Sequence, residues 1–358
     1  MKTVTIVDTS ICTDNLGDEI IMDAVNKVVW ELFPSAYIYR VPSHEPLSDR
    51  TREFVRQSDF CFVGGTNLLS SYMDRDDALW KIGSKDSKYF AVARTVCLGT
   101  GWGDYMPSPS AASQRLLHSV LSRELMHAAR DSYTRDYLIK IGLDAVCTSC
   151  PTMWTLTPDH CSKIPTGRAN SAVFTLSAWR RDPEADRAFV EVLRRQYRHL
   201  YFFSQMHKDL SYLDSFGLSD VKHIQPTVEA YTHFLESEDV DFVGTRLHGG
   251  IRALQKGRRA LILSIDNRAA EISKDTGLPV LARNDLAGIE RWIEDGAPTR
   301  IALPQSAIDE WKEQFSAERV SLLTPISESA RRELKNRSLA SKSVGSAKRV
   351  IKSVLQVN

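Results

Sequence analysis

The sequence is short of several things that would settle its class at once. Lys and Arg number 46 against 45 Asp and Glu, so the net charge is only +1. The chain therefore lacks the basic field that nucleic-acid binding uses, and no nucleic-acid partner is expected. It contains no run of about 18 apolar residues, the minimum for a spanning helix. The opening Met1-Lys-Thr-Val-Thr-Ile-Val-Asp8 passes from one basic residue straight into a β-branched run, without the apolar stretch and small-residue cleavage site of a secretory leader. Cysteine is sparse, six in 358 residues. The thiols fall in or beside expected strands (Cys61, Cys97) or loops (Cys12, Cys150, Cys161), the usage of a reducing compartment, and a cytoplasmic location is expected. Cys147-Thr-Ser-Cys150 has the spacing of half a zinc site, and His160-Cys161 is the nearest completion; four ligands do not assemble, so no metal is expected. No complete Gly-x-Gly-x-x-Gly fingerprint follows a strand at dinucleotide-binding spacing.

What is present is an ordinary folded composition, 42% hydrophobic and 25% charged. The length suits two α/β domains of ~100–200 residues each, with a cleft between them. Short apolar runs alternate with longer segments of helical period, the pattern of a parallel sheet covered on both faces. In the first half, strands are expected over residues 4–7, 60–63, 96–98 and 145–147, and helices over 18–33, 113–129 and 134–141. The polar stretch 158–170, with Pro158, Pro165 and Gly167, marks a boundary. Beyond it, strands are expected over 172–176, 200–203, 240–243 and 260–265, and helices over 186–197, 228–235, 249–255, 269–276 and 286–293. The expected architecture is thus α/β: two Rossmann-like, doubly wound domains in a GT-B-like pair, over residues 1–165 and 166–320, followed by a tail over 321–358. In the tail, Arg331, Arg332, Lys335, Arg337, Lys342, Lys348, Arg349 and Lys352 stand against Glu328 and Glu333. Such a run either holds a protein near anionic lipid or forms a solvated terminal helix.

In open α/β sheets, ligands bind beyond the carboxyl ends of the strands, where helix N-termini attract anions. Three such loops in the first half are rich in glycine or acid: Asp14-Asn15-Leu16-Gly17-Asp18-Glu19, Gly64-Gly65-Thr66-Asn67 and Gly99-Thr-Gly101-Trp102-Gly103. The strongest segment lies in the second half, where a buried strand runs into Gly244-Thr-Arg-Leu-His-Gly-Gly250. Arg246 offers a permanently charged fork that matches carboxylate or phosphate, and His248 can move a proton near neutral pH. On the neighbouring loop, Arg268 either faces the same ligand or pairs with Glu271 across a helical turn. Trp102, Tyr105, Trp154 and Trp179 lie beside these loops or the boundary and either stack on sugar rings or pack in the core.

Asn15-Leu-Gly-Asp-Glu19, Gly64-Gly65, Ala129-Arg-Asp-Ser-Tyr-Thr134, Thr245-Arg-Leu-His-Gly249 and Arg268 together resemble the polysaccharide pyruvyl transferase family. The resemblance runs from residue 1 to about 295 and is most specific at Arg-Leu-His. It implies a GT-B-like enzyme that takes phosphoenolpyruvate as co-substrate and sets its pyruvyl group on saccharide hydroxyls, commonly as a ketal, with release of phosphate. It further implies that Arg246, Leu247 and His248 serve phosphoenolpyruvate binding and proton transfer, with Arg130 as an upstream arginine. Gly-Gly-Thr in place of Gly-Gly-Gly, and Arg268 in place of lysine, depart from the family pattern.

The residues expected at the site are accordingly His248 and Asp18 for catalysis, and Arg246, Leu247, Arg130, Arg268, Asn15, Gly17, Gly64, Gly65 and Gly249 for substrate binding. No cofactor is expected beyond the co-substrate. The partners are phosphoenolpyruvate and a saccharide, free or lipid-linked, with the basic tail as a peripheral membrane contact. Asp18, Glu19 and Asp131 are alternatives for the second proton transfer, and each also suits a helix cap. Two rival readings share this scaffold: a glycosyltransferase using a nucleotide sugar, and a saccharide-binding protein without catalysis.

Overall fold

The computed structural model describes residues 1–336. Two six-stranded sheets carry it. The first contains β1 (Thr3–Asp8), β2 (Tyr37–Pro42), β3 (Phe60–Gly64), β4 (Arg94–Thr100), β5 (His127–Ala129) and β6 (Ala145–Cys147), in the order β2-β1-β3-β4-β5-β6. The second contains β7 (Ser171–Thr175), β8 (His199–Phe203), β9 (Val221–Ile224), β10 (Val240–Gly244), β11 (Ala260–Ser264) and β12 (Val280–Ala282), in the order β12-β11-β10-β7-β8-β9. All pairings are parallel. Residues alternate between the two faces of a sheet, so buried strands feed two cores each. In β3, for example, Phe60 and Phe62 enter one core, Cys61 and Val63 the other.

The strand order reverses between β1 and β3 in the first sheet and between β7 and β10 in the second. At such switch points the adjoining helices depart to opposite faces and leave a crevice at the carboxyl ends. The expected two-domain, doubly wound architecture is therefore what the chain forms.

One expected element is corrected. The helix placed over 113–129 ends at Val120, Leu121 is extended, and His127–Ala129 is instead the strand β5, between β4 and β6. Both faces of β5 are buried, so the segment carries no alternation by which to read it as a strand. Strands β2 and β9, at sheet edges, also escaped the apolar pattern because they carry exposed polar residues, and the edge strand β12 because it is only three residues long.

Between the sheets, Cys150, Met153, Leu156, Cys161 and Ile164 are already buried in the second domain's core. The helix Gln305–Glu313, inside the range 166–320, returns to the first domain, where Trp311 packs edge-on to Phe62 and the following Phe315 to Phe60. Residues 328–336 are helical. Arg331 is buried there, donating from Nη2 to the Ser58 carbonyl, while its own carbonyl accepts from Arg56 Nη1 at 3.0 Å. This basic residue is thus a fastening within the protein. Arg337, Lys342, Lys348, Arg349 and Lys352, named for membrane contact, lie outside the described residues. Among the described residues no helix is long and apolar enough to cross a membrane.

Candidate functional site

The carboxyl ends of the two sheets border one cleft of about 640 Å³. Its walls are the loops after β1 (Cys12 to Asn15, and Asp18), β2 (His44), β3 (Thr66, Asn67) and β4 (Gly103, Asp104), and those after β7 (Trp179, Arg180), β8 (Met206), β10 (Arg246) and β11 (Asp266, Arg268).

On the second-domain side, small residues let the Gly244–Gly250 turn form. A Cβ on Gly244 would fall 2.3 Å from Thr175 Oγ1, and one on Gly250 would fall 2.6 Å from Ile262 Cγ1, so glycine brings the helix Leu247–Gln255 down on the sheet. Arg246 stands at the N-terminus of that helix and lines the cleft. Its Nε donates to Asp209 Oδ2 at 2.9 Å and its Nη2 to Asp209 Oδ1, a buried bidentate pair. Burial lowers the basicity of this guanidinium against the pull of Asp209. Arg268 lines the same cleft and is paired with Asp266, Nε donating to Oδ2 at 3.0 Å and Nη2 at 2.6 Å. Burial acts to lower the Arg268 pKa, and the surrounding carboxylates, Asp266 foremost with Asp18 and Asp104, together outweigh it, so the net shift is upward. Glu271, the alternative partner, instead accepts from the Tyr105 hydroxyl at 2.6 Å across the domains. Both arginines thus spend the Nε/Nη2 edge on a carboxylate, and among the described residues no hydrogen bond engages Nη1 of either. Leu247 is a core residue, packed with Ile251 and Phe242. Gly249 accepts from the Tyr231 hydroxyl at 2.9 Å and lies close under Gln205.

His248 is buried beneath the cleft and does not line it. Its Nε2 is 3.8 Å from Cys150 Sγ. Burial first, then the charges of Arg268 and Arg130, drives its pKa down to about 3, so the imidazole is neutral at pH 7. Arg130 reaches this point from the first domain, also buried, with Nε donating to Asp131 Oδ2 at 2.9 Å and Nη1 to Asn67 Oδ1. A Cβ on Gly101 would fall 2.2 Å from Arg130 Cζ, so the guanidinium lies where only glycine leaves room. Asp131 is occupied in holding Arg130 and capping Thr134 N at 2.8 Å, and Glu19 is exposed outside the cleft lining.

On the first-domain side, Asn15 caps the helix Leu16–Leu32, its Oδ1 accepting from Gly17 N and from Gln205 Nε2, each at 3.0 Å. Asn15 lines the cleft and ties the domains; Gly17 is buried under Gln205. Asp18 is not the cap. Its Oδ2 accepts from Thr13 Oγ1 at 2.8 Å, and its buried Oδ1 has no partner. Gly64 and Gly65 lie outside the cleft lining. Gly65 has φ +57°, and a Cβ there would fall 2.1 Å from Ile21 Cγ2, so this glycine serves a left-handed turn packed against a helix. The cleft instead meets the next two residues, Thr66 and Asn67. Among the aromatics, Trp102 is fully buried and Trp154 packs on Trp311, whereas Trp179 is exposed on the cleft wall.

Three contributors were not legible in the sequence. His44 follows the edge strand β2, which carried no pattern; Asp209 sits in an unremarkable helix start; Asn67 was visible only as the end of the Gly64-Gly65 loop.

No curated protein shows detectable sequence similarity to the chain. Among solved structures, S. aureus MnaA with UDP has the same fold at 11% identity and TM-score 0.52, over 83% of this chain and 92% of that one. The UDP-GlcNAc 2-epimerase of Methanocaldococcus jannaschii (10% identity, TM-score 0.48, 95% and 100% covered) and a glycosyltransferase of Rickettsia africae (10%, 0.44, 98% and 99%) are more distant likenesses. The family model described as polysaccharide pyruvyl transferase matches residues 15–267, which include the Asn15 to Asp18 loop, Arg130 and the Arg246 to His248 turn. The chain belongs to the polysaccharide pyruvyl transferase family.

Proposed function

We propose that the protein transfers the pyruvyl group of phosphoenolpyruvate to saccharide hydroxyls, with release of phosphate, in glycan biosynthesis. The observation that carries this reading is the convergence of Arg246 and Arg268 on one cleft, with Arg130 and His248 immediately beneath. Phosphoenolpyruvate bears a carboxylate and a phosphate, and arginine forks at helix N-termini are the receptor that such a dianionic molecule calls for. Each cleft arginine keeps Nη1 for the ligand while its own carboxylate fixes the rest of the guanidinium.

The neutrality of His248 fits the donor role. Two of the charges that hold it neutral, Arg130 and Arg268, are those an anionic donor would offset, so donor binding raises the basicity of the imidazole. The imidazolium then supplies the proton that the donor's methylene takes as C2 becomes electrophilic. Positioned proton transfer of this kind contributes roughly 10²–10⁴ in rate. His248 is buried and does not itself line the cleft; it stands two residues beyond Arg246, which does. Leu247, Gly64, Gly65 and Gly249 support the site by packing, and Asn15 and Gly17 by joining the domains through Gln205.

The test is phosphate release from phosphoenolpyruvate in the presence of a panel of saccharides, together with thermal stabilisation by phosphoenolpyruvate and by nucleotide sugars. Stabilisation by nucleotide sugars alone, without phosphate release, overturns the reading in favour of glycosyl transfer.

A further inference from the structure

The first-domain wall holds an arrangement that anion binding does not use. His44 Nδ1 lies 3.2 Å from the Leu79 carbonyl, which fixes the hydrogen on Nδ1, and His44 Nε2 lies 3.8 Å from Asp18 Oδ2, at ion-pair distance. The same Oδ2 accepts from Thr13 Oγ1 at 2.8 Å and faces Asn15 Nδ2 at 3.4 Å. The other oxygen, Oδ1, is buried without a partner in a residue that lines the cleft and is only 4% exposed. Leaving a buried carboxylate oxygen unpaired costs stability, and a donor arriving in the cleft removes that cost. A saccharide hydroxyl is such a donor, whereas another anion is not.

We propose that Asp18 Oδ1 receives the proton of the attacking saccharide hydroxyl and that His44 is the positioning residue that holds Asp18 for this task. The inference rests on the pyruvyl-transfer reading. The acceptor O–H bond breaks as its oxygen bonds to C2 of the donor; the proton passes to Asp18 Oδ1, and the C2–C3 π pair takes a proton at C3 from the imidazolium of His248. The second hydroxyl then bonds to C2 and the C2–O bond to phosphorus breaks. Phosphate leaves with that pair and takes up one of the two hydroxyl protons, and the other restores His248.

The pair has a pH signature. Burial and Lys81 oppose protonation of His44, while Asp18 and the Leu79 carbonyl favour it, with a net upward shift of its pKa. Protonated, His44 presents Nε2–H to Asp18 Oδ2 and fixes the carboxylate. As pH rises through the raised pKa, the proton on Nε2 is lost, and a lone pair faces the carboxylate instead. Turnover therefore declines on the alkaline side. Glutamine at position 44 offers an amide donor that does not titrate.

The experiment measures kcat and KM against pH for wild type, His44→Gln and His44→Ala, with phosphoenolpyruvate-induced thermal stabilisation as a separate readout. We expect His44→Ala to lower kcat on the order of 10- to 100-fold, less than the roughly 10²–10⁴ that a positioned base itself contributes because Asp18 remains in place, with donor stabilisation unchanged. His44→Gln should keep most of kcat and lose the alkaline decline. Retention of wild-type kcat in His44→Ala, or of the alkaline decline in His44→Gln, overturns the role of the pair, as does loss of donor stabilisation in both variants. A wild type that neither binds phosphoenolpyruvate nor releases phosphate overturns the pyruvyl-transfer reading itself, and the pair's role with it.

Discussion

Asp209→Asn keeps the shape of a fully buried side chain and removes the charge on which Arg246 rests. The carboxylate accepts from Arg246 Nε at 2.9 Å and from Arg246 Nη2, and also from Met206 N and Ala178 N at 3.0 Å each. Arg246 is itself only 5% exposed, so water does not compensate its charge. Breaking a buried ion pair from one side typically costs about 3–5 kcal/mol. For a protein of this size that is a fall in unfolding midpoint of about 4–7 °C. On the proposed reading, phosphoenolpyruvate changes the comparison: its anionic group would share Arg246 with Asp209 in the wild type and would become the counter-charge in the variant. Recovery of about 1.4 kcal/mol of the loss tightens the donor's Kd tenfold. The assay is thermal unfolding with and without phosphoenolpyruvate, together with calorimetric titration. We expect the ligand-free variant to be less stable and the donor-induced shift to be larger, with Asp209→Asn/Arg246→Met abolishing that gain. A variant as stable as wild type, or one that binds the donor more weakly, refutes the placement of Arg246 as a buried charge facing the donor.

Three further outcomes are expected. His248→Gln should keep donor-induced stabilisation and lose phosphate release by roughly 10²-fold or more; in the wild type, donor binding above about pH 3 should take up protons, because the imidazole is neutral without ligand and the proposed reading has it gain a proton beside the donor, and calorimetry in buffers of different ionisation enthalpy reads this uptake directly. Equal uptake in His248→Gln would sink the assignment. Gly101→Ala should weaken donor binding while costing only about 1–3 kcal/mol of stability, since the new methyl displaces the Arg130 guanidinium rather than the backbone; unchanged donor affinity would show that Arg130 plays no part. Gly65→Ala should do the opposite, destabilising through its positive φ and the clash with Ile21 while the folded fraction keeps the wild-type Kd for phosphoenolpyruvate.

Much of this molecule is written locally. Apolar runs such as residues 60–63 and 240–243 announce buried parallel strands because both faces of those strands meet helices, and the glycines and charges that follow them mark the loops where a cleft forms. Arg246 and Arg268 were legible for this reason, as ends of strands that sequence periodicity locates. What the sequence did not contain is which groups share the cleft and in what state. Asp209 reaches Arg246 across 37 residues and Asn67 reaches Arg130 across 63, and no local pattern encodes such meetings. The same holds for Gly64 and Gly65, where the glycine requirement was visible but its cause, a helix pressed onto the turn, was not. His248 shows the division most plainly: the sequence alone determined that a proton carrier stands at the start of a helix beside an arginine. Only the closing of two sheets decided that it is buried and neutral between Arg130 and Arg268, because desolvation and charge act through space and not along the chain.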